Sequence, residues 1–294
     1  MQSLSLTWIA NIVPELPEVE TVCRGLNQIT PNHQIRGGDV LLPRSIAHPD
    51  SLEAFWAGVT NTKMQWWFRR GKYLLVALET PDGEPAGHLG VHLRMTGQLL
   101  WLSAQEPVAK HCRVRFRFDD DCELRFVDQR TFGRVWWVPP GVEVESVITG
   151  IAALGPEPFS DRFSPDYLYR ATRGRKRPIK NALLDQGLIA GIGNIYADEA
   201  LFLSGIRPTT LCTRLGRQRI TRLHGGVRQA LAAGIAQGGT TFSDFRNVHG
   251  INGNYGGIAN VYDREHQPCR VCETPIRRIK LAGRSAHFCP RCQR

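Results

Sequence analysis

Val19, Val22, Cys23, Leu26 and Ile29 recur at spacings of three and four residues, which predicts an amphipathic helix near the start of the chain. Pro17 and Glu18 fall in its first turn, where a missing N–H costs nothing and a carboxylate meets the positive end of the helix dipole. From there to about residue 140 the pattern turns β-like. Residues 63–70 and 72–79 are apolar and aromatic runs divided by Gly71, and residues 88–102 form a third run broken at Gly97. Residues 113–118 alternate strictly, with Val114, Phe116 and Phe118 to one side and Arg113, Arg115 and Arg117 to the other. Acidic residues 119–121 read as a turn into residues 123–127, and 135–138 follow. Short strands with regular turns predict a β-sandwich.

Past Pro139-Pro140 the helical rhythm returns over residues 166–172, 180–188, 194–204 and 213–236, separated by Gly-rich turns. A Gly- and Asn-rich loop, residues 238–257, leads into a cysteine-bearing tail. The expected class is α+β multidomain. An N-terminal helix and β-sandwich span residues 14–140, a helical domain spans 141–259, the cysteine-bearing tail spans 260–294, and residues 1–13 form an extension. No apolar stretch is long enough to span a bilayer, and the opening residues lack the basic start of a secretory signal. The expected setting is therefore cytoplasmic, away from any membrane.

Composition narrows the partner. Lys and Arg total 37 against 27 Asp and Glu, a formal charge of +10, which favours a polyanion such as nucleic acid. Among the 8 cysteines, Cys269, Cys272, Cys289 and Cys292 form a C-x2-C-x16-C-x2-C array. That spacing allows two tight knuckles to hold one structural Zn²⁺ with no open coordination position; a pair of disulfides or an iron centre are the alternatives. Arg270, Arg277, Arg278, Lys280, Arg284, Arg291 and Arg294 surround the array and suit phosphate contact. Cys23, Cys112, Cys122 and Cys212 have no ligand-like spacing and read as small buried hydrophobes. Gly191-Ile192-Gly193-Asn194 lacks the third glycine and preceding strand of a dinucleotide fingerprint, so its small residues are expected to let backbone amides approach phosphate.

The string Pro14-Glu15-Leu16-Pro17-Glu18-Val19-Glu20 resembles the amino terminus of the formamidopyrimidine-DNA glycosylase family. The resemblance continues through RRGKYL (69–74), HLRMTG (92–97), DQRTFG (128–133), LGPEP (154–158), GIGNIY (191–196), GGTT (238–241) and the cysteine array, in the family's order. It implies a helix–two-turn–helix element in the helical domain, a zinc-finger β-hairpin, and a monomer that acts on damaged double-stranded DNA. The implied reaction flips an oxidised purine out of the duplex, excises it through a proline Schiff base, and breaks the backbone by β,δ-elimination.

The same resemblance assigns roles. Pro14 becomes the nucleophile and Glu15 its general acid/base, while Glu18 is a supporting carboxylate or a helix cap. Lys72 assists β-elimination and Arg284 assists δ-elimination. Met95, Arg130 and Phe132 fill the vacated stack and hold the opposite base. Gln129 and Thr131 stand where family members often carry Pro and a basic residue, which weakens a phosphate contact there. His111, Arg175, Lys180 and Asn194 grip DNA, and the 238–257 loop covers the lesion. One condition attaches. Pro14 is internal here, and an amide nitrogen forms no iminium, so the chemistry requires a chain that begins at Pro14. Initiation at the codon of Val13 would supply it. The competing readings are an endonuclease VIII-type glycosylase for oxidised pyrimidines, which Leu16 argues against, and a silent zinc-dependent DNA-binding homologue.

Overall fold

The computed structural model describes residues 13–239 and 255–294; residues 1–12 and 240–254, including most of the 238–257 loop, lie outside the described residues. Helix α1 (Leu16–Ile29) follows Glu15, whose N–H donates to the Glu18 carboxylate at 2.9 Å. Glu18 therefore does cap the helix, in the reciprocal arrangement that Glu favours at the third position. Val19, Val22, Cys23 and Leu26 are buried along one stripe, and Thr30 ends the helix by bonding Leu26 O through both its N–H and its hydroxyl.

The sandwich begins with β1 (Gly37–Val40), β2 (Ile46–His48) and α2 (Leu52–Val59), then β3 (Lys63–Arg70), β4 (Tyr73–Glu79), β5 (Pro85–His92), β6 (Gly97–Ser103), β7 (Cys112–Arg117), β8 (Cys122–Asp128) and β9 (Arg134–Val138). One sheet runs β1-β7-β8-β6 and the other β2-β9-β5-β4-β3. Their inner faces share one core, in which Trp67, Val76, Leu89 and Val91 of one sheet meet Leu99, Phe116, Leu124 and Phe126 of the other. Alternation in β7 behaves as expected: Val114 and Phe116 are fully buried, while Arg115 turns outward to bond Glu123 at 2.6 Å. One pair, β2 with β9, is parallel, a departure from a purely antiparallel sandwich.

Helices α3 (Val144–Val147) and α4 (Thr149–Ala152) cover part of the second sheet's outer face around Tyr73, Leu75 and Trp136. The helical domain holds α5 (Pro165–Thr172), α6 (Ile179–Leu183), α7 (Asn194–Leu203) and α8 (Arg217–Ala236) around a second core. Leu16 belongs to that core while Val19, Val22, Cys23 and Leu26 belong to the sandwich core, so α1 spans both. The tail is a hairpin of β10 (Arg277–Leu281) and β11 (Arg284–Phe288).

Two expected helices are shorter than their rhythm suggested. The 180–188 helix stops at Leu183, because Asp185 turns its carboxylate onto Gly187 N, Arg175 and Arg177. The 213–236 helix starts only at Arg217, after a short 3-10 turn over Cys212–Arg214.

Candidate active site

A cleft of about 1060 Å³ lies between the sandwich and the helical and hairpin segments, and it is lined by Val13, Glu15, Lys72, Met95, Phe132, Asn194, Tyr262 and Arg284 among others. Glu15 is its most constrained member. The side chain is 2 % exposed, and its carboxylate accepts bonds from the N–H groups of Gly193 (2.8 Å), Ile195 (2.9 Å) and Tyr196 (3.3 Å) at the start of α7. A helix N-terminus is a natural seat for an anion. Here the anion is the protein's own carboxylate, which corrects the expectation that the small residues of GIGN open these amides to phosphate. Gly191, at φ +88°, packs against Leu16, where a Cβ would come within 2.7 Å of the leucine Cβ. Burial pushes the Glu15 carboxyl up to about 7, against the opposing pull of Lys72 and the backbone donors. Glu18 also accepts from the Tyr196 hydroxyl at 2.9 Å, so both carboxylates lean on α7.

Pro14 is buried beside Glu15, with Val13 lining the cleft on its N-terminal side. The residue that precedes the proline thus forms part of the cleft lining.

Lys72 is presented by the tight turn between β3 and β4. Gly71 takes φ +57° there, and its N–H donates to Glu157 at 2.6 Å. The same Glu157 carboxylate takes Arg69 at 2.8 Å and Arg70 at 3.0 Å, which ties the turn to the start of the helical domain. Burial lowers the Lys72 pKa, partly opposed by the negative charge of Glu15 and Glu18. A lysine held below its usual range gives up its proton more readily than a free one.

Met95, Arg130 and Phe132 sit on two loops locked to each other. The Thr96 hydroxyl donates to the buried Asp128 carboxylate, whose other oxygen accepts from Gly133 N at 2.7 Å, and Thr96 Oγ1 accepts from Arg130 N at 2.9 Å. His92, buried and pushed down to about 3 by that burial, stays neutral and accepts from Arg94 N at 3.0 Å. This bond supports Arg94 at φ +55°, the turn that carries Met95. Phe132 is 49 % exposed, with the Arg130 guanidinium 5.2 Å from its ring centroid. An exposed aromatic on a rigid loop beside a cleft is available to enter a base stack.

The expected DNA-gripping residues separate. Arg284 is exposed at the cleft edge, and Asn194 lines the cleft with its amide 3.2 Å from Ser285 Oγ. His111 lies 3.2 Å from Arg113, and Arg175 is shared with Arg177 on Asp185. Lys180 departs from expectation. It is 1 % exposed, with its ammonium 2.6 Å from Asp198 and 2.5 Å from Ser285 O, so it works beneath the surface instead of in the groove. Asp198, Glu157 and Glu199 were not singled out from the sequence. Glu199 is buried and gathers the N–H groups of Asn260, Val261 and Tyr262 at 2.8–2.9 Å. Each of these acids sits in an apolar helical run or loop motif, and an acid in an otherwise buried stripe was the only available signal.

The Sγ atoms of Cys269, Cys272, Cys289 and Cys292 all lie within 4.8 Å of one another. Val271 N and Cys292 N point at Cys269 and Cys289 sulfurs at 3.5 and 3.4 Å, the N–H···S contacts that steady thiolates in a metal knuckle. Four converging thiols without a disulfide fit one tetrahedral Zn²⁺.

Profiles of known families match three stretches: the formamidopyrimidine-DNA glycosylase N-terminal domain over residues 13–135, the H2TH domain of the same enzymes over 154–246, and a zinc finger found in FPG and IleRS over 267–294. The formamidopyrimidine-DNA glycosylase of Acaryochloris marina is 58 % identical over 281 residues, covering 96 % of this chain and 99 % of that protein. The crystal structure of MutM (Fpg) from Thermus thermophilus has a TM-score of 0.83 at 36 % identity, covering 95 % of this chain and 98 % of its own. Lactococcus lactis Fpg in complex with DNA containing an abasic site has a TM-score of 0.86 at 32 % identity, with 95 % and 99 % covered.

Proposed function

The chain belongs to the formamidopyrimidine-DNA glycosylase family, and on that premise we propose how its cleft performs the reaction. The protein is a DNA glycosylase and abasic-site lyase of base-excision repair, directed at oxidised purines, with a zinc finger among its DNA-binding parts.

In our reading the free amine of Pro14 attacks the sugar C1′ as the C1′–N bond to the damaged base breaks. Glu15 is the acid/base partner. With a pKa near 7 it holds a proton for part of the population and accepts one for the rest, which suits a group that protonates the sugar ring oxygen and later takes a proton back. The iminium that results acidifies the C2′ proton, and we assign its removal to Lys72, so that the 3′ phosphate leaves. Arg284, which also lines the cleft, meets the phosphate lost in the second elimination. Met95, Arg130 and Phe132 replace the extruded base in the stack. Zn²⁺, held by Cys269, Cys272, Cys289 and Cys292, would cross-link the hairpin that carries Arg284 and supply no reactive ligand position.

The observation that carries this reading is the placement of Glu15: buried, next to Pro14, and clamped by three amides of α7. The amine exists only in a chain that starts at Pro14. The N-terminal family profile begins at residue 13, which leaves residues 1–12 outside it. We place the active form as a monomer that starts at Pro14 and works on duplex DNA in the cytoplasm. No helix among the described residues is long and apolar enough to cross a membrane. Single-turnover excision from duplexes carrying an oxidised purine or an oxidised pyrimidine tests the substrate. The Pro14-start chain should favour the purine, and a preference for the pyrimidine would contradict the reading.

A further inference from the structure

The strand that carries Arg284 is fastened to the helical domain by a buried ionic node. Lys180 on α6 and Asp198 on α7 are 1 % and 0 % exposed, and their charged atoms stand 2.6 Å apart. Both reach β11 as well. The Lys180 ammonium donates to Ser285 O at 2.5 Å, and Asp198 Oδ2 accepts from His287 N at 2.9 Å. Asn194 adds a contact from its amide to Ser285 Oγ at 3.2 Å. The residues held are Ser285, directly after Arg284, and His287, two further along. Arg284 itself is exposed, so the course of β11 decides where its guanidinium reaches.

We propose that the Lys180–Asp198 pair is the positioning device for Arg284, and that it sets the proportion of δ- to β-elimination. A buried ion pair contributes little net stability once both charges are desolvated, whereas its directional bonds can fix register. The four cysteines gather the hairpin at its Cys289 end. The node adds a hold on Ser285, beside the turn, to one on His287, two residues before Cys289. Lys72 sits on the β3–β4 turn, which Glu157 holds through Gly71 N and the Arg69 and Arg70 side chains. A loosened node should therefore impair the step that Arg284 assists and spare the earlier one. The inference rests on the assignment of δ-elimination to Arg284.

The test uses the zinc-loaded chain starting at Pro14, which contains every described element, on a duplex with one abasic site. The β and δ products are resolved over time. Asp198→Asn should lower the δ:β ratio by about tenfold, a modest loss for a misplaced group, with β-product formation and zinc content near wild type. The double variant Lys180→Met/Asp198→Asn removes both charges, so it avoids an unpaired buried ammonium, and should show the same shift. Arg284→Gln reports on the underlying assignment. If it lowers the ratio while both node variants keep the wild-type ratio, the inference is overturned and the assignment stands. If the node variants lose both products equally, or lose zinc, the node is a plain structural tie and the inference is again overturned. If Arg284→Gln leaves the ratio unchanged, the assignment of Arg284 fails and takes the inference with it.

Discussion

The Cα of Gly193 lies so close to the Glu15 carboxyl that a Cβ built on it would stand 2.3 Å from Cδ and 2.4 Å from Oε1. The glycine is required for space, since its own φ of −130° suits any residue. Its absent side chain lets the carboxylate settle onto the amides of α7, next to the proline.

Gly193→Ala should therefore displace Glu15 and leave most of the fold intact. Single-turnover base excision by the Pro14-start chain is expected to fall by about 100-fold or more, the cost of removing a positioned acid/base group. Loss limited to about twofold would mean that the carboxylate does not act from this seat.

Glu15 also imposes a pH dependence on stability. Its carboxyl is raised from 4.5 to about 7, so between those values the folded chain keeps a proton that the unfolded chain has released. Its contribution is most favourable below the unfolded value and declines as pH rises through the folded one, by about 3 kcal/mol in all. Glu15→Gln removes this slope. Urea unfolding at about pH 5 and about pH 8 should show the variant gaining on wild type at the higher pH.

Thr96 joins the two loops that present Met95, Arg130 and Phe132. Thr96→Val leaves the buried Asp128 carboxylate and Arg130 N each short of a partner, at a cost of about 1–3 kcal/mol. Weaker binding to abasic-site duplex should accompany the stability loss. Thermal unfolding and equilibrium binding check the two together.

Metal analysis should find one Zn²⁺ for the one set of four cysteines. Chelation, or Cys272→Ser, should unfold the hairpin and lower affinity for damaged duplex by about tenfold or more, because folding of such a module is coupled to its metal. The effect is read as DNA affinity before and after zinc is restored.

The sandwich was legible because side-chain period follows strand geometry: Val114 and Phe116 turn inward wherever β7 lies. The strands Gly37–Val40 and Ile46–His48 were not, since each is too short to show a period. The cysteine array was legible because its ligand spacing is local in sequence, whereas the roles of Pro14, Glu15 and Lys72 came from the family resemblance alone. What stayed hidden was long-range pairing. Lys180 reads as a DNA contact, but its partner Asp198 lies one helix later and Ser285 lies on the tail. The GIGN amides read as phosphate donors, and only the fold shows that Glu15 already occupies them.

The most direct test of a proline nucleophile is borohydride trapping on abasic-site DNA, comparing the chain that starts at Pro14 with one that retains Met1–Val13. A covalent protein–DNA adduct is expected from the first and none from the second, because Pro14 as an amide nitrogen forms no iminium for borohydride to reduce. Absence of an adduct from the Pro14-start chain, or an equal adduct from the extended chain with its terminus intact, would contradict the mechanism.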